Sequence, residues 1–363
     1  MTRLEKLQHL MSQADLNMVA LIPGPNLRYV AGAHHLLMER PLVVLVPHTG
    51  TPAVIIPQIE VEVFQAGGLA ATLYPWTDAD GYHAAFAQAL ATFAPHRLGV
   101  EGLRMRFFEA EILKNLLPDT EIVRADDALA DLRIHKESDE VAALRQAIML
   151  SESALQNTLD HIQVGMTETA ILNRLRGYLT EAGGEGLAFP PLVLAGDNSA
   201  RPHGHARPDY AIQPGDALLF DFGLVYEGYH ADITRTFFVG EPSPDARAFY
   251  EAVLAANIAA REAARPGLTA HELDILTRDV LEKAGYAQWI IHRTGHGLGL
   301  DVHEYPNIVQ GNVRVLEPGM VFTIEPGLYQ PGALGVRIED DVLITPDGVE
   351  ALTTFPRELQ TVG

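Results

Sequence analysis

Two stretches of the chain repeat one another: GMTETAILNRLRGYLTEAGG from Gly165 and GLTAHELDILTRDVLEKAGY from Gly267. They share a Gly-apolar-Thr opening, a helical run and an Ala-Gly close, about a hundred residues apart. In the second copy Thr269 and Glu272 make a capping box. Any two well-capped amphipathic helices look alike, so the echo alone does not establish a duplication; the segment downstream of each copy strengthens it. After the first come His203 in RPHGH and the strand pair LLFDFGLVYEGYHADITRTFFVG. After the second come His303 and the strand pair MVFTIEPGLYQPGALGVRIEDDVLIT. Each half supplies a histidine and then two strands bearing two carboxylates. That order predicts a duplicated α+β domain with one site shared between its halves.

The carboxylates say what the site must do. A hairpin turning at Glu227-Gly228 sets Asp232 opposite Gly223, and strand side chains alternate with period two, so Asp221 and Asp232 point to one side. Two carboxylates on the inner face of an apolar hairpin repel each other and resist desolvation unless a cation lies between them. Glu325 closes the apolar run VFTI, and Glu339 follows GVRI in the same manner. Cysteine is absent, which removes thiol nucleophiles, disulfides and cysteine-ligated zinc. Four carboxylates and a histidine make an oxygen-rich site with room for two ions, suited to manganese, cobalt or zinc. The segment RTGHGLGLDVHEYPNI offers His296, His303 and Glu304. Taken singly, each residue has an ordinary reading as a solvated strand end or a loop histidine; as an ordered set they point to metal.

Ahead of this domain the texture differs. LNMVALI (Leu16 to Ile22) reads as a strand, and LVVLVPHTGTPAVIIP as two strands about a His48–Gly50 turn. Helical stretches come after Pro57 and Gly81, and HRLGVEG holds another short strand. The expected division is an α/β domain over residues 1–134 and the α+β domain over 135–363. Ser138 is the expected N-cap of the helix that opens the second domain, with Val141, Leu144 and Ile148 at helical spacing. A chain of 363 residues at 47% hydrophobic can fill two cores. Its net charge of −21 and lack of a basic, aromatic-interleaved run argue against nucleic acid. No apolar run reaches the roughly 18 residues of a membrane span, and MTRLEKLQHLMSQADL reads as an amphipathic helix, so a cytoplasmic location is expected.

PNLRYVAG, DLRIHKESDEVAALRQA, DFG, DITRTF, GHGLGLDVHE, IEPG and RIEDDV occur in one order along nearly the whole chain. Together they resemble the pita-bread (creatinase-like) metallopeptidases, and among these the proline-specific branch. The resemblance implies two divalent ions, manganese first, with cobalt or zinc as alternatives. It assigns Asp221 to one ion, His296 and Glu325 to the other, and Asp232 and Glu339 as bridges. Such ions activate water and polarise the scissile carbonyl. Glu325 is implied as the proton carrier, and His203 and His303 as groups that contact the substrate carbonyl. Thr234 and Arg337 stand beside ligands as supports, Arg337 also as a substrate contact. Glu304 receives no role.

Metal-free creatine amidinohydrolases lack these ligands, methionine aminopeptidases lack the extra N-terminal domain, and silent interaction modules of this fold lose their ligands. Within the proline-specific branch, many dipeptidases carry a cation four residues beyond the histidine matched by His303, where it catches the dipeptide carboxylate. Here that position is neutral Asn307. Together with the form GLDVHE, this favours an Xaa-Pro aminopeptidase, with an Xaa-Pro dipeptidase (prolidase) as the alternative; Arg337, Arg201 or an N-terminal-domain arginine could replace the missing clamp. The expected partners are peptides with proline second and another copy of the chain. The loop AGAHHLLMERP (Ala31 to Pro41), with His34 and His35, either reaches a neighbour's site or packs in its own subunit.

Overall fold

The short apolar runs at the start of the chain become strands because nearly every side chain in them is buried on one face or the other. The computed structural model describes residues 1–363 and separates at Arg133/Ile134 into two units. In the first unit, β1 (Met18–Leu21), β2 (Val43–Pro47), β3 (Ala53–Pro57), β4 (Thr72–Trp76), β5 (Arg97–Val100) and β6 (Glu121–Arg124) form one sheet in the order β4-β3-β2-β1-β5-β6. The β1–β2 and β2–β3 pairs are antiparallel and the others parallel. Ile55, Leu45, Trp76, Phe86 and Leu113 belong to its core. In the loop after Ala31, His35 is buried with Nδ1 2.9 Å from Glu60 Oε2. His34, Leu36, Leu37 and Met38 face outward.

The second unit opens with the helix Ser138–Leu159. Its N-cap is Glu137, one residue before the expected Ser138, because Glu137 keeps an extended backbone while the Glu140 carboxylate reaches back to accept from its N–H at 2.9 Å. Strands follow as β7 (Gly186–Leu187), β8 (Leu192–Ala195), β9 (Ala217–Phe222), β10 (Leu224–Tyr226), β11 (Tyr229–His230) and β12 (Ile233–Val239). After two more helices come β13 (Gly295–Gly297), β14 (Glu304–Ile308), β15 (Val321–Ile324), β16 (Gly327–Gln330), β17 (Leu334–Arg337) and β18 (Asp340–Thr345).

The two halves of this unit repeat one plan. Helices Ser138–Leu159 and Glu168–Glu181 precede the antiparallel set β8-β9-β12; helices Pro244–Ala263 and Ala270–Lys283 precede the antiparallel set β13-β15-β18. Thr167 and Thr269 cap the second helix of each half, and each also forms an isolated bridge, to Ala211 and Val315 respectively. The same position in each copy therefore performs the same two tasks.

Register places the first carboxylates. Tyr226 pairs with Tyr229 about a turn in which Glu227 (φ 48°) and Gly228 (φ 85°) are both left-handed, as a two-residue hairpin requires. Phe222 pairs with Ile233 and Asp221 with Thr234, so the same register runs through Gly223 and Asp232. A Cβ on Gly223 would lie 1.8 Å from the Ala231 carbonyl oxygen, so only glycine lets the strands close here. No helix is long and apolar enough to cross a membrane.

Candidate metal centre

Strand ends from both halves converge. His296 is the middle residue of β13, Glu325 follows β15, and Glu339 lies between β17 and β18. Ligand atoms of Asp232, His296 and Glu339 all lie within 4.8 Å of one another. His296 Nε2 is 3.6 Å from Asp232 Oδ2 and 3.5 Å from Glu325 Oε1. Asp221 joins through Arg337, whose Nη2 donates to Asp221 Oδ2, while its Nε donates to Thr234 Oγ1 at 2.9 Å. The Thr234 hydroxyl donates in turn to Glu339 Oε2 at 2.6 Å. One threonine thus fixes a carboxylate of the second half against the hairpin of the first.

Burial sets the electrostatics. It pushes the carboxyls of Asp232 and Glu339 well above their ordinary range, and repulsion from neighbouring carboxylates adds to it. Asp221 is raised by burial against the pull of Arg337, and Glu325 is pushed up to about 7 by burial against Arg337 and Arg293. His296 is lowered to about 3, chiefly by burial and then by His303. A neutral His296 donates from Nδ1 to the Gly297 carbonyl (3.1 Å) and turns the lone pair of Nε2 toward the carboxylates. Asp221 Oδ1 is buried without a partner. A neutral imidazole, four crowded carboxylates and an orphaned carboxylate oxygen fit divalent cations, which would supply the positive charge that a single guanidinium leaves short.

The other expected residues sit around this cluster. The ring of His303 lies 4.4 Å from that of His296, and its side chain is exposed. His203 is exposed and lines an open cavity of about 640 Å³ with Arg201, His205 and Arg207. Arg337, expected as a support and a substrate contact, is buried beside the clustered carboxylates, donating to Asp221, Thr234 and the Tyr329 hydroxyl. Glu304 pairs with Lys136 at 3.0 Å, both side chains being almost wholly buried, and accepts from the Asp301 N–H.

Several residues of the surroundings carried no sequence signal. Glu168 accepts from the Ala195 N–H and from Asn198 and Arg207, fixing the loop that carries His203. Asp274 accepts from the N–H and hydroxyl of Thr294 and from the Gln310 N–H, fixing the entry to β13. Both lie early in helices, where an acid reads as a partner of the helix dipole. His292 contacts the Tyr329 hydroxyl at 2.9 Å and lies 3.9 Å from Glu325, and burial lowers it to about 4. Arg293 donates to Asn307 Oδ1 at 2.6 Å. It heads the motif stretch, but only the pairing of β13 with β14 shows what it faces.

A model of metallopeptidase family M24 matches residues 142–346, and a creatinase/prolidase N-terminal domain model matches residues 3–135. The chain belongs to the M24 metallopeptidases. Solved structures agree over its whole length. An Xaa-Pro dipeptidase from Bacillus anthracis is 32% identical with a TM-score of 0.91, covering 99% of both chains. A prolidase from Thermococcus sibiricus is 32% identical with a TM-score of 0.93, covering 99% of this chain and 98% of its own. An X-Pro aminopeptidase from Thermotoga maritima is 30% identical with a TM-score of 0.86, covering both chains fully at 100%. This M24 protein is thus a metallo-exopeptidase with a creatinase-type α/β domain and a pita-bread catalytic domain.

Proposed function

We propose that this M24 metallopeptidase is an Xaa-Pro dipeptidase working with two divalent ions. The observation that carries the reading is the convergence of Asp232, His296 and Glu339, with Glu325 and Asp221 alongside, in a pocket where every carboxyl is raised by burial. In this reading Asp221, Asp232, His296, Glu325 and Glu339 would together hold the ions. When bound there, divalent ions would supply the charge that acidifies a water and polarises a carbonyl. Glu325 carries the proton from the attacking water to the leaving imide nitrogen, which has no hydrogen of its own before cleavage. His303 and His203 hold the substrate carbonyl oxygen as charge develops on it. Arg337 positions Asp221 and Glu339 through Thr234 and leaves the substrate to other groups.

Asn307 favours an aminopeptidase only if no cation stands at its place. The names dipeptidase and prolidase carried by the Bacillus anthracis and Thermococcus sibiricus relatives support the dipeptidase reading. The test compares Xaa-Pro dipeptides with matched Xaa-Pro-Xaa tripeptides after reconstitution with manganese or cobalt. A higher kcat/KM for dipeptides is expected; a clear preference for tripeptides makes the enzyme an aminopeptidase, and metal binding without any cleavage makes it a binding protein.

A further inference from the structure

We propose that Glu304, clamped by Lys136, is a positioning residue that aims the His303 ring at the metal cluster and so at the substrate carbonyl oxygen. This rests on the peptidase reading above. Glu304 is buried while His303 beside it is exposed, as the alternation of side chains along an extended segment requires. Its carboxylate serves two donors at once: Oε2 accepts from Lys136 Nζ at 3.0 Å and Oε1 from the Asp301 N–H at 3.0 Å. Both side chains of the ion pair are almost wholly buried. Taking two charges out of water offsets most of their mutual attraction, so such a pair is a weak source of stability. What it can supply here is a fixed geometry for the residue next to it.

His303 ends the loop 298–303 that joins β13 to β14. Within it the Gly299 N–H donates to the Asp301 carbonyl at 3.0 Å and the Val302 N–H to Asp301 Oδ1 at 3.1 Å. Gly299 leaves room for the pair, since a Cβ there would lie 3.0 Å from both Glu304 Oε2 and Lys136 Cε. The first half of the unit holds the same loop: the backbone N–H of His230 donates to the Gly299 carbonyl at 2.8 Å, and His230 Nδ1 contacts it at 3.0 Å. His230 stands two residues before Asp232. Lys136 is anchored too, its N–H donating to the Gly319 carbonyl at 2.8 Å and its neighbour His135 bridging to Met320, at the entry to the strand that leads to Glu325. The pair therefore ties the His303 loop to the frame that carries the carboxylates, and the ring rests 4.4 Å from that of His296. A group that meets charge as it develops must be held within about 0.5 Å of its place, and a loop holds nothing so closely without such support.

Lys136→Met breaks the pair and leaves Glu304 buried alone. The double variant Lys136→Met, Glu304→Leu replaces both ions by apolar side chains and keeps the site filled where the single variant fails to fold. Each is made in the wild-type and in the His303→Ala background and assayed, loaded with manganese, on an Xaa-Pro dipeptide. In the wild-type background the double variant should lose kcat on the order of tenfold or more with KM little changed, because the interaction at stake is made in the transition state. In the His303→Ala background the same replacement should cost less than about twofold. Equal losses in both backgrounds, or an undiminished kcat in the folded double variant, would overturn the assignment. Nuclear magnetic resonance of the diamagnetic zinc-loaded protein reads position without turnover. The imidazole proton signal that His303→Ala removes should shift in the double variant, while that of the exposed His48 in the first unit stays in place; an unmoved His303 signal overturns the assignment. A wild type that binds metal but cleaves no Xaa-Pro peptide overturns the peptidase reading alone, and the His303 signal then decides whether the pair positions the ring.

Discussion

Asp232 and Glu339 face the same imidazole from opposite halves of the catalytic unit, and neither has a cation of its own within ion-pairing distance. Replacing either by its amide, Asp232→Asn or Glu339→Gln, keeps the shape and removes the charge. Activity should fall on the order of a thousandfold, and titration should show weakened binding of manganese; full turnover by a chelated wild type would contradict the metal reading altogether. That these carboxylates cluster was legible in the sequence because a carboxylate in an apolar strand is costly and calls for an explanation. Arg293 and His292 were not. A lone arginine near a loop looks like a solvated one, and only the pairing of His296 with Asn307 reveals its neighbour.

The hairpin of β9 to β12 is the element on which the centre depends. Its register is fixed by a two-residue turn, and for that reason it could be foreseen from Glu227-Gly228. Gly223→Ala forces a Cβ to within 1.8 Å of the Ala231 carbonyl, so one strand must shift. A loss of roughly 1–3 kcal/mol is expected from denaturant unfolding, with weaker metal binding because Asp221 and Asp232 flank the site of strain. In the first unit the strands that stood out in the sequence, β1, β2, β3 and β5, are the inner ones. The strands that did not, β4 and β6, are the two edges of the sheet. Edge strands are half exposed, β4 contains Pro75, and neither shows the continuous apolar run that marks a buried strand. The exposed Leu36, Leu37 and Met38 of the same unit motivate the expectation of a homodimer, which light scattering would reveal as twice the chain mass; a monomer at micromolar concentration would refute it.

For the molecule as a whole, the crowded carboxyls predict how metal removal and pH act together. Burial raises Glu325 from 4.5 to about 7 in the folded chain, with Asp232 and Glu339 shifted in the same sense. The folded state then holds protons that the unfolded state has released, so stability falls as pH rises through that window. Chelated protein should melt at a lower temperature at pH 8 than at pH 5, and added manganese should raise the melting temperature more at pH 8; a flat profile would show that these groups are not buried together. The centre also has a history within each folding event. Its framing bonds join residues far apart in the chain: Asp232 to Asp341 across 109 positions, Thr234 to Glu339 across 105 and Arg337 to Asp221 across 116. Each hairpin can form from local contacts, but the catalytic pocket exists only after the longest loops have closed, and loop closure over such spans is slow. On dilution from denaturant with manganese present, far-ultraviolet circular dichroism should therefore recover before peptidase activity does. The catalytic centre becomes a clock for the last step of assembly, silent until the two halves have met.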